Sequence, residues 1–133
     1  MKLTSKSEYA LLALVYLARQ GDDTYISVDT IAKARAIPPK FLEQILLALK
    51  RGRYVTSAKG QHGGYRLAKP PATITLAEVI RLFDGALAPT ESVSVYFYEP
   101  TPIEKEKKLV KIFKKIRDFV SDQLENTTIA DVQ

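Results

Sequence analysis

The chain has 133 residues, with 20 lysines and arginines against 15 aspartates and glutamates, and a formal net charge of +5 at pH 7. It contains no cysteine and one histidine, which excludes disulfides, a cysteine nucleophile, thiolate-bound metals and a histidine-rich metal site. The proportions of charged residues, 26%, and hydrophobic residues, 46%, are typical of a folded globular domain.

The positive charge is concentrated towards the N-terminus. Residues 1–68 carry 11 lysines and arginines and 5 acidic residues, whereas residues 69–133 carry 9 and 10. A basic half indicates a polyanionic partner. No apolar run is long enough to cross a membrane, and no signal peptide follows Met1, so we expect a cytoplasmic protein without a membrane partner.

The first predicted helix has signals at both ends. Thr4 or Ser5 can cap it, Glu8 lies three residues after Ser5 as in a capping box, and Gly21 ends it. Residues 25–26 are predicted to form a short extended segment.

Two further helices follow in quick succession. Ser27 is predicted to cap the second, "VDTIAKARAI", and residues 38–39, both proline, end it and open the third, since proline suits a first helical turn. The third helix, "KFLEQILLALKRG", is amphipathic. Its predicted buried stripe is Phe41, Leu42, Ile45, Leu46 and Leu49. Its predicted outer face is Lys40, Glu43, Gln44, Leu47 and Lys50.

A hairpin with a glycine-rich tip comes next. The stretches "YVTSA" and "YRLA" are predicted as its strands and "KGQHGG" as its turn. Glycines allow positive φ angles and close approach to another chain. The order helix, helix, helix, hairpin is that of a winged helix-turn-helix domain, in which a helix enters the DNA major groove. The expected fold class is therefore mainly α with a small β-hairpin, plus a long C-terminal dimerisation helix.

The C-terminal part is predicted to join the domain to a partner subunit. Thr75 caps a fourth helix that ends at Gly85, and a long helix covers roughly residues 103–126. This suggests a DNA-binding domain (1–85), a connecting segment (86–102) and a dimerisation helix with a tail (103–133). The alternative is that the helix folds back on its own domain. The predicted dimerisation residues are Leu109, Ile112, Phe113, Ile116, Phe119 and Val120. The lysines at 105, 107, 108, 111, 114 and 115 are interpreted as its solvated face.

An uncharged segment, "SVSVYFY" at residues 92–98, interrupts the connecting region. Its alternation places Val93, Val95 and Phe97 on one side. One interpretation is packing against the dimer helices. The other is a sensing element, formed by Tyr96, Phe97 and Tyr98, that binds a small molecule or a partner protein.

Three stretches together resemble the Rrf-two family of bacterial winged-helix regulators: "MKLTSKSEYALLALVYLA", "FLEQILLALKRGRYVTSAKGQHGGYRLAK" and "ITLAEVIRLFDG". The family includes the iron–sulfur-cluster assembly regulator and the cysteine-metabolism repressor, and the resemblance extends to about residue 130. It implies a homodimer, a long helix that crosses its partner, and a palindromic operator.

The chain departs from that family at its metal ligands. Many members carry three cysteines that hold an iron–sulfur cluster, and those places fall near Ser92, Tyr98 and Glu104. None supplies a thiolate, so no cofactor is expected. The chain either belongs to a cluster-free branch or is an engineered replacement.

The predicted DNA contacts combine the third helix with the hairpin tip. Lys40 can reach a phosphate or a guanine, Glu43 can accept from a cytosine amino group, and Gln44 can bridge adenine N6 and N7. Lys59 can enter a narrow minor groove. Hydroxyls and free N–H groups at two helix starts can donate to phosphates, besides capping. The full set is Thr4, Ser5, Lys6, Ser27, Lys40, Phe41, Glu43, Gln44, Lys50, Lys59, Gln61 and His62.

The predicted function is that of a sequence-specific, homodimeric regulator of transcription, acting as a repressor on double-stranded DNA. No hydrolase, metalloprotease or dinucleotide-binding motif is present, so an enzyme is not expected. The alternative is a protein-interaction adaptor or sensor that keeps the fold without binding a specific operator.

Overall fold

The computed structural model describes all residues, 1–133, and consists of six α-helices and one antiparallel hairpin. The elements are α1 (Ser5–Gln20), α2 (Val28–Arg35), α3 (Pro39–Arg51), β1 (Val55–Ala58), β2 (Gly64–Leu67), α4 (Leu76–Asp84), α5 (Lys107–Glu125) and α6 (Ile129–Val132). Short 3₁₀ turns cover Pro71–Thr73, Glu91–Val93 and Pro102–Lys105. The mainly α fold with one hairpin is confirmed, and none of the helices has the length and apolar character needed to cross a membrane.

Side-chain caps mark the starts of α1, α2 and α4. Thr4 rather than Ser5 is the N-cap of α1, and its hydroxyl accepts from the Ser7 amide at 3.3 Å. Ser27 caps α2 in the same way. Thr75 forms a reciprocal capping box with Glu78 at the start of α4.

The core is built around α1. This helix packs against α2, α3, α4 and α6, and its buried face consists mainly of alanine and leucine. The apolar stripe of α3 lies against it, and four of the five residues predicted to be buried are buried, while Phe41 is half-buried. The largest fully buried side chains are Leu14, Leu17, Ile31, Leu42, Ile45, Leu46, Leu49, Val55, Ile74, Val79, Ile80 and Ile129.

The hairpin is anchored to the segment before α2. Val55 pairs with Leu67 and Ser57 pairs with Tyr65. Ile26 and Tyr65 exchange two backbone hydrogen bonds of 2.8 Å, which confirms the extended conformation expected at residues 25–26. The hairpin therefore has a fixed position relative to the start of α2.

Two expectations for the C-terminal region are wrong. The long helix begins at Lys107, not at 103, because Pro102 starts a 3₁₀ turn and Glu106 is extended, with φ −102° and ψ 95°. The alternation in residues 92–98 does not place its three apolar side chains on one side, since Val93 is buried in a 3₁₀ turn while Val95 and Phe97 are exposed.

A last helix, α6, was not predicted and closes the core. Its N-cap Thr128 forms a capping box with Asp131, and Thr128 also makes a β-bridge to Thr75. Ile129 is fully buried among the residues around α1. The tail thus packs on the N-terminal body of the chain.

Candidate nucleic-acid interface

The exposed face of α3 carries three polar side chains near its start. Lys40, Glu43 and Gln44 are all exposed, while the leucines and isoleucines on the opposite face are buried. The helix opens with Pro39 and has no side-chain cap, so its first N–H groups have no capping acceptor. Packing of the apolar stripe therefore fixes the rotation of α3 and directs this polar face to solvent.

An aromatic contact sets the start of α3 against α1. Phe41 is half-buried, and its ring meets that of Tyr9 edge-on, with centroids 5.6 Å apart and planes at 82°. Because Tyr9 lies one turn after Ser5 and Lys6, this contact brings the first turns of the two helices together. Phe41, although among the predicted DNA contacts, uses much of its surface in this packing.

The tip of the hairpin presents three further predicted residues. Lys59, Gln61 and His62 are exposed, and Gly60 between them has a φ of +102°. Lys59 makes no ion pair. A cation and two hydrogen-bonding side chains are thus free at the end of the wing.

An open depression of about 560 Å³ separates the wing tip from the start of α2. Ser27, Gln61 and His62, all predicted contacts, line it together with Thr30 and Asp23. The Ser27 and Thr30 hydroxyls lie 2.8 Å apart. Thr30 is not among the predicted contacts, although a threonine three residues after a cap shares the exposed surface of the first helical turn.

The start of α1 is organised by an acidic side chain that the sequence did not indicate. Asp84, at the end of α4, accepts hydrogen bonds from the Thr4 hydroxyl at 2.5 Å and the Ser7 hydroxyl at 2.7 Å. The Thr4 hydroxyl is therefore occupied within the protein. Ser5 and Lys6 remain exposed.

Cations near the base of the hairpin are engaged in internal contacts. Lys69 lies 4.8 Å from the Tyr54 ring and 3.8 Å from Glu78, and Arg66 stacks 4.4 Å from the Tyr25 ring. Partial burial, followed by the charge of Glu78, raises the pKa of the Tyr54 phenol. These contacts hold the hairpin on the body, in contrast to the free cation at its tip.

The predicted dimerisation residues divide into two groups. Leu109, Ile112, Ile116 and Phe119 are exposed, at 46%, 52%, 42% and 69%, while Phe113 and Val120 are half-buried. The four exposed side chains follow one another at intervals of three and four residues, so α5 presents a continuous apolar stripe to solvent.

The chain has three helices followed by a glycine-tipped hairpin, and the third helix exposes a polar face. This arrangement defines a winged helix-turn-helix protein. Within that class the chain belongs to the Rrf2 family, described as iron-dependent transcriptional regulator, which it matches over residues 3–133. It is a DNA-binding regulator of transcription, and the family and its named relatives are regulators rather than enzymes.

Several relatives resemble the chain over nearly its whole length. Rv1287 of Mycobacterium tuberculosis is 37% identical over 135 residues, covering 99% of this chain and 81% of the relative. The HTH-type transcriptional regulator CymR of Bacillus subtilis is 30% identical over 132 residues, covering 99% and 89%.

Solved structures agree with the fold. The structure of B. subtilis CymR, the global cysteine regulator, superposes with a TM-score of 0.85 at 28% identity, covering 99% of this chain and 95% of that one. That of T. potens IscR superposes with a TM-score of 0.75 at 24% identity, covering 99% and 85%, and supports the fold alone.

The residues of this chain do not fit the iron that the family description implies. The chain has no cysteine, and nowhere do three or more histidine, aspartate or glutamate side chains converge in a way that could hold a metal ion. Ser92 is hydrogen-bonded to Thr101 at 2.5 Å, and the Tyr98 hydroxyl donates to Glu104. The three places that correspond to cluster ligands in the resemblance therefore hold hydroxyl and carboxylate groups that bond within the protein.

Proposed function

We propose that the chain is a homodimeric repressor that binds a pseudo-palindromic operator without an iron–sulfur cluster. The observation that carries this proposal is the exposed polar start of α3, together with a wing tip that carries free polar side chains next to the start of α2. We further propose that residues 1–85 bind DNA, 86–102 connect, and 103–133 dimerise. The packing of α6 on α1 makes the tail a support for the DNA-binding body as well.

Base recognition is assigned to the exposed face of α3. Lys40 would contact guanine or phosphate, Glu43 the amino group of cytosine, and Gln44 adenine. Glu43 is exposed and makes no ion pair or side-chain hydrogen bond. An unpaired carboxylate on a DNA-facing surface repels phosphates, so its presence is best explained by contact with a base edge.

Phosphate contacts are assigned to the wing and the helix starts. Lys59 would enter the minor groove, and Ser27, Gln61 and His62 would face the backbone across the depression that they line. Ser5 and Lys6 at the start of α1, and Lys50 in the last turn of α3, would add positioning contacts.

Dimerisation is assigned to the exposed apolar stripe of α5. The opposite side of α5 packs against α4 of the same chain, so the stripe is left without a partner inside the subunit. A second copy of the chain that covers this stripe would give a twofold dimer, which would present the α3 helices of both subunits to one DNA duplex.

The connecting segment is the proposed sensing element. Tyr96 and Tyr98 are largely exposed, Arg81 of α4 lies 4.9 Å from the Tyr96 ring, and Arg117 of α5 donates to the Val93 carbonyl at 3.0 Å. The connecting segment thus contacts α4 through Tyr96 and α5 through Val93, and an effector bound at residues 96–98 would act on α4 directly and on α5 through the segment. Exposed tyrosine rings could also contact a partner protein, as in the alternative function of a protein-interaction adaptor. An adaptor would show no preference for an operator sequence.

Replacing Glu43 by alanine is expected to relax base preference more than it weakens binding. A good base contact contributes about 1–3 kcal/mol of discrimination, or roughly 5- to 150-fold, and loss of a negative charge favours binding to any duplex. The measurement is fluorescence anisotropy with the operator and with single-base-pair variants of it.

The matched control is Glu99→Ala, which removes an exposed carboxylate from the connecting segment. It should leave base preference unchanged. A uniform loss of affinity across all duplexes for Glu43→Ala would contradict the assignment of this residue to base recognition.

A further inference from the structure

Residues 69–133 have a net charge close to zero but contain a strongly basic segment. Residues 105–117 carry seven lysines and arginines and one glutamate, whereas the remainder of residues 69–133 carries two cations and nine acidic residues. The positive charge of the chain is therefore concentrated in two places, the N-terminal half and the first half of α5.

Five lysines of this segment form one face of α5. Their spacing of three and four residues places them on a single side of the helix, next to the apolar stripe, and all five are exposed. None takes part in an ion pair, since the three pairs in the structure are Lys69–Glu78, Arg81–Glu125 and Arg117–Asp118. The lysine face consists of Lys107, Lys108, Lys111, Lys114 and Lys115.

The lysine face lies on a different helix from the proposed base contacts of α3. α5 packs against α4, α4 packs against α1, and α1 packs against α3, whereas α5 and α3 do not pack against each other. The five lysines are on the side of α5 that does not contact α4. Operator binding by α3 and the wing therefore leaves this second basic surface open.

We propose that the lysine face binds the phosphate backbone of a second DNA duplex, so that a protein bound at its operator also holds non-operator DNA. Neutralisation of phosphates by lysine releases counterions and requires no apolar anchor. Protein interfaces differ, because their cores are depleted in lysine and depend on buried aromatic and arginine side chains. The lysine face has charge without such anchors, which favours DNA over an acidic protein.

A second duplex is favoured over the flanks of the operator duplex. A flank would have to bend around the body of the protein to reach α5, which costs free energy, whereas a separate duplex approaches unbent. Non-specific binding of this kind has a Kd of about 10⁻⁴–10⁻⁶ M at physiological salt and tightens as salt is lowered. The inference rests on the proposed operator binding by α3 and the wing.

A bridging assay tests the inference with the full chain. The operator duplex is attached to beads, the protein is bound, and capture of a fluorescent 30-base-pair duplex without operator is measured at about 50 mM salt. The wild type should capture the second duplex. Simultaneous replacement of the five lysines by glutamine should reduce capture at least about 10-fold without changing the amount of protein on the beads, while replacement by arginine should preserve capture.

Other outcomes overturn the inference. The inference is wrong if the wild type captures no second duplex, or if the glutamine variant captures as much as the wild type. It is also wrong if the glutamine variant binds a long operator duplex more weakly than the wild type does but binds a short one equally well, because that result would assign the lysines to flanking DNA. Protein on the beads is read separately, so a wild type that does not occupy the operator would count against the proposed function instead.

Discussion

Phe119→Asp, alone or with Ile112→Asp, is expected to convert a dimer into monomers and to lower operator affinity by about 100-fold or more. Both side chains lie in the exposed apolar stripe of α5, and a partner helix would bury them. Burial of an unpaired carboxylate in that interface is unfavourable. Because two linked reading heads bind with an avidity gain of about 10²–10⁴, loss of the dimer should remove most specific binding.

Sedimentation velocity and anisotropy with the operator duplex provide the measurement. Val95→Asp is the matched control, because Val95 is 65% exposed in the connecting segment and lies outside α5. The control should remain dimeric and bind normally. A Phe119→Asp, Ile112→Asp variant that stays dimeric with full affinity would show that the stripe is not the interface.

Gly64→Ala is expected to destabilise the protein by about 3 kcal/mol and to lower its melting temperature by roughly 10 °C. Gly64 has a φ of +142°, and a Cβ at this position would lie 2.1 Å from the carbonyl oxygen of Ile26. The substitution should break the hydrogen bonds between Ile26 and Tyr65 that hold the hairpin beside α2. Operator binding should weaken as well, because the wing loses its fixed position.

Gly60→Ala is the matched control, because it introduces backbone strain at a positive φ without the steric clash expected for Gly64→Ala. Gly60 also has a positive φ, +102°, but a Cβ there would meet nothing within 4 Å. Thermal unfolding of both variants should therefore show a much smaller loss for Gly60→Ala, about 1 kcal/mol. Equal melting temperatures for the two variants would contradict the close approach of Gly64 to Ile26.

Local signals predicted the helix caps, the buried stripe of α3 and the hairpin well. Ser27 and Thr75 cap their helices as expected, the apolar stripe of α3 is buried, and the glycine-rich turn gives a hairpin. These features depend on residues a few positions apart, so spacing alone is informative. The polar face of α3 follows directly from the burial of its other side.

Contacts between distant parts of the chain were not predictable in the same way. The hydrogen bonds from Thr4 to Asp84 join residues 80 positions apart, and the bridge from Thr128 to Thr75 brings the tail to the start of α4. No local pattern indicates such pairs. Likewise, the alternation of apolar residues in 92–98 would place them on one side only if the segment paired with a neighbouring strand. The sheet contains β1 and β2 alone, so no such pairing occurs.

The lysines of α5 were expected on its solvated face, but a charge sum over the C-terminal half does not show how basic that face is. A net charge close to zero over residues 69–133 combines a basic segment with acidic surroundings, and the observed start of α5 at Lys107 leaves five of the six lysines on one side of the helix. The position of this face relative to α3 required the packing order of the helices.

The most direct test of the account is selection of bound duplexes from a random pool by the purified protein. If a twofold pair of subunits presents two α3 helices, the recovered sequences should contain two inverted half-sites whose centres are about 10 base pairs, or a multiple of that, apart. Recovery of unrelated sequences, or of a single half-site without a symmetry-related copy, would contradict it.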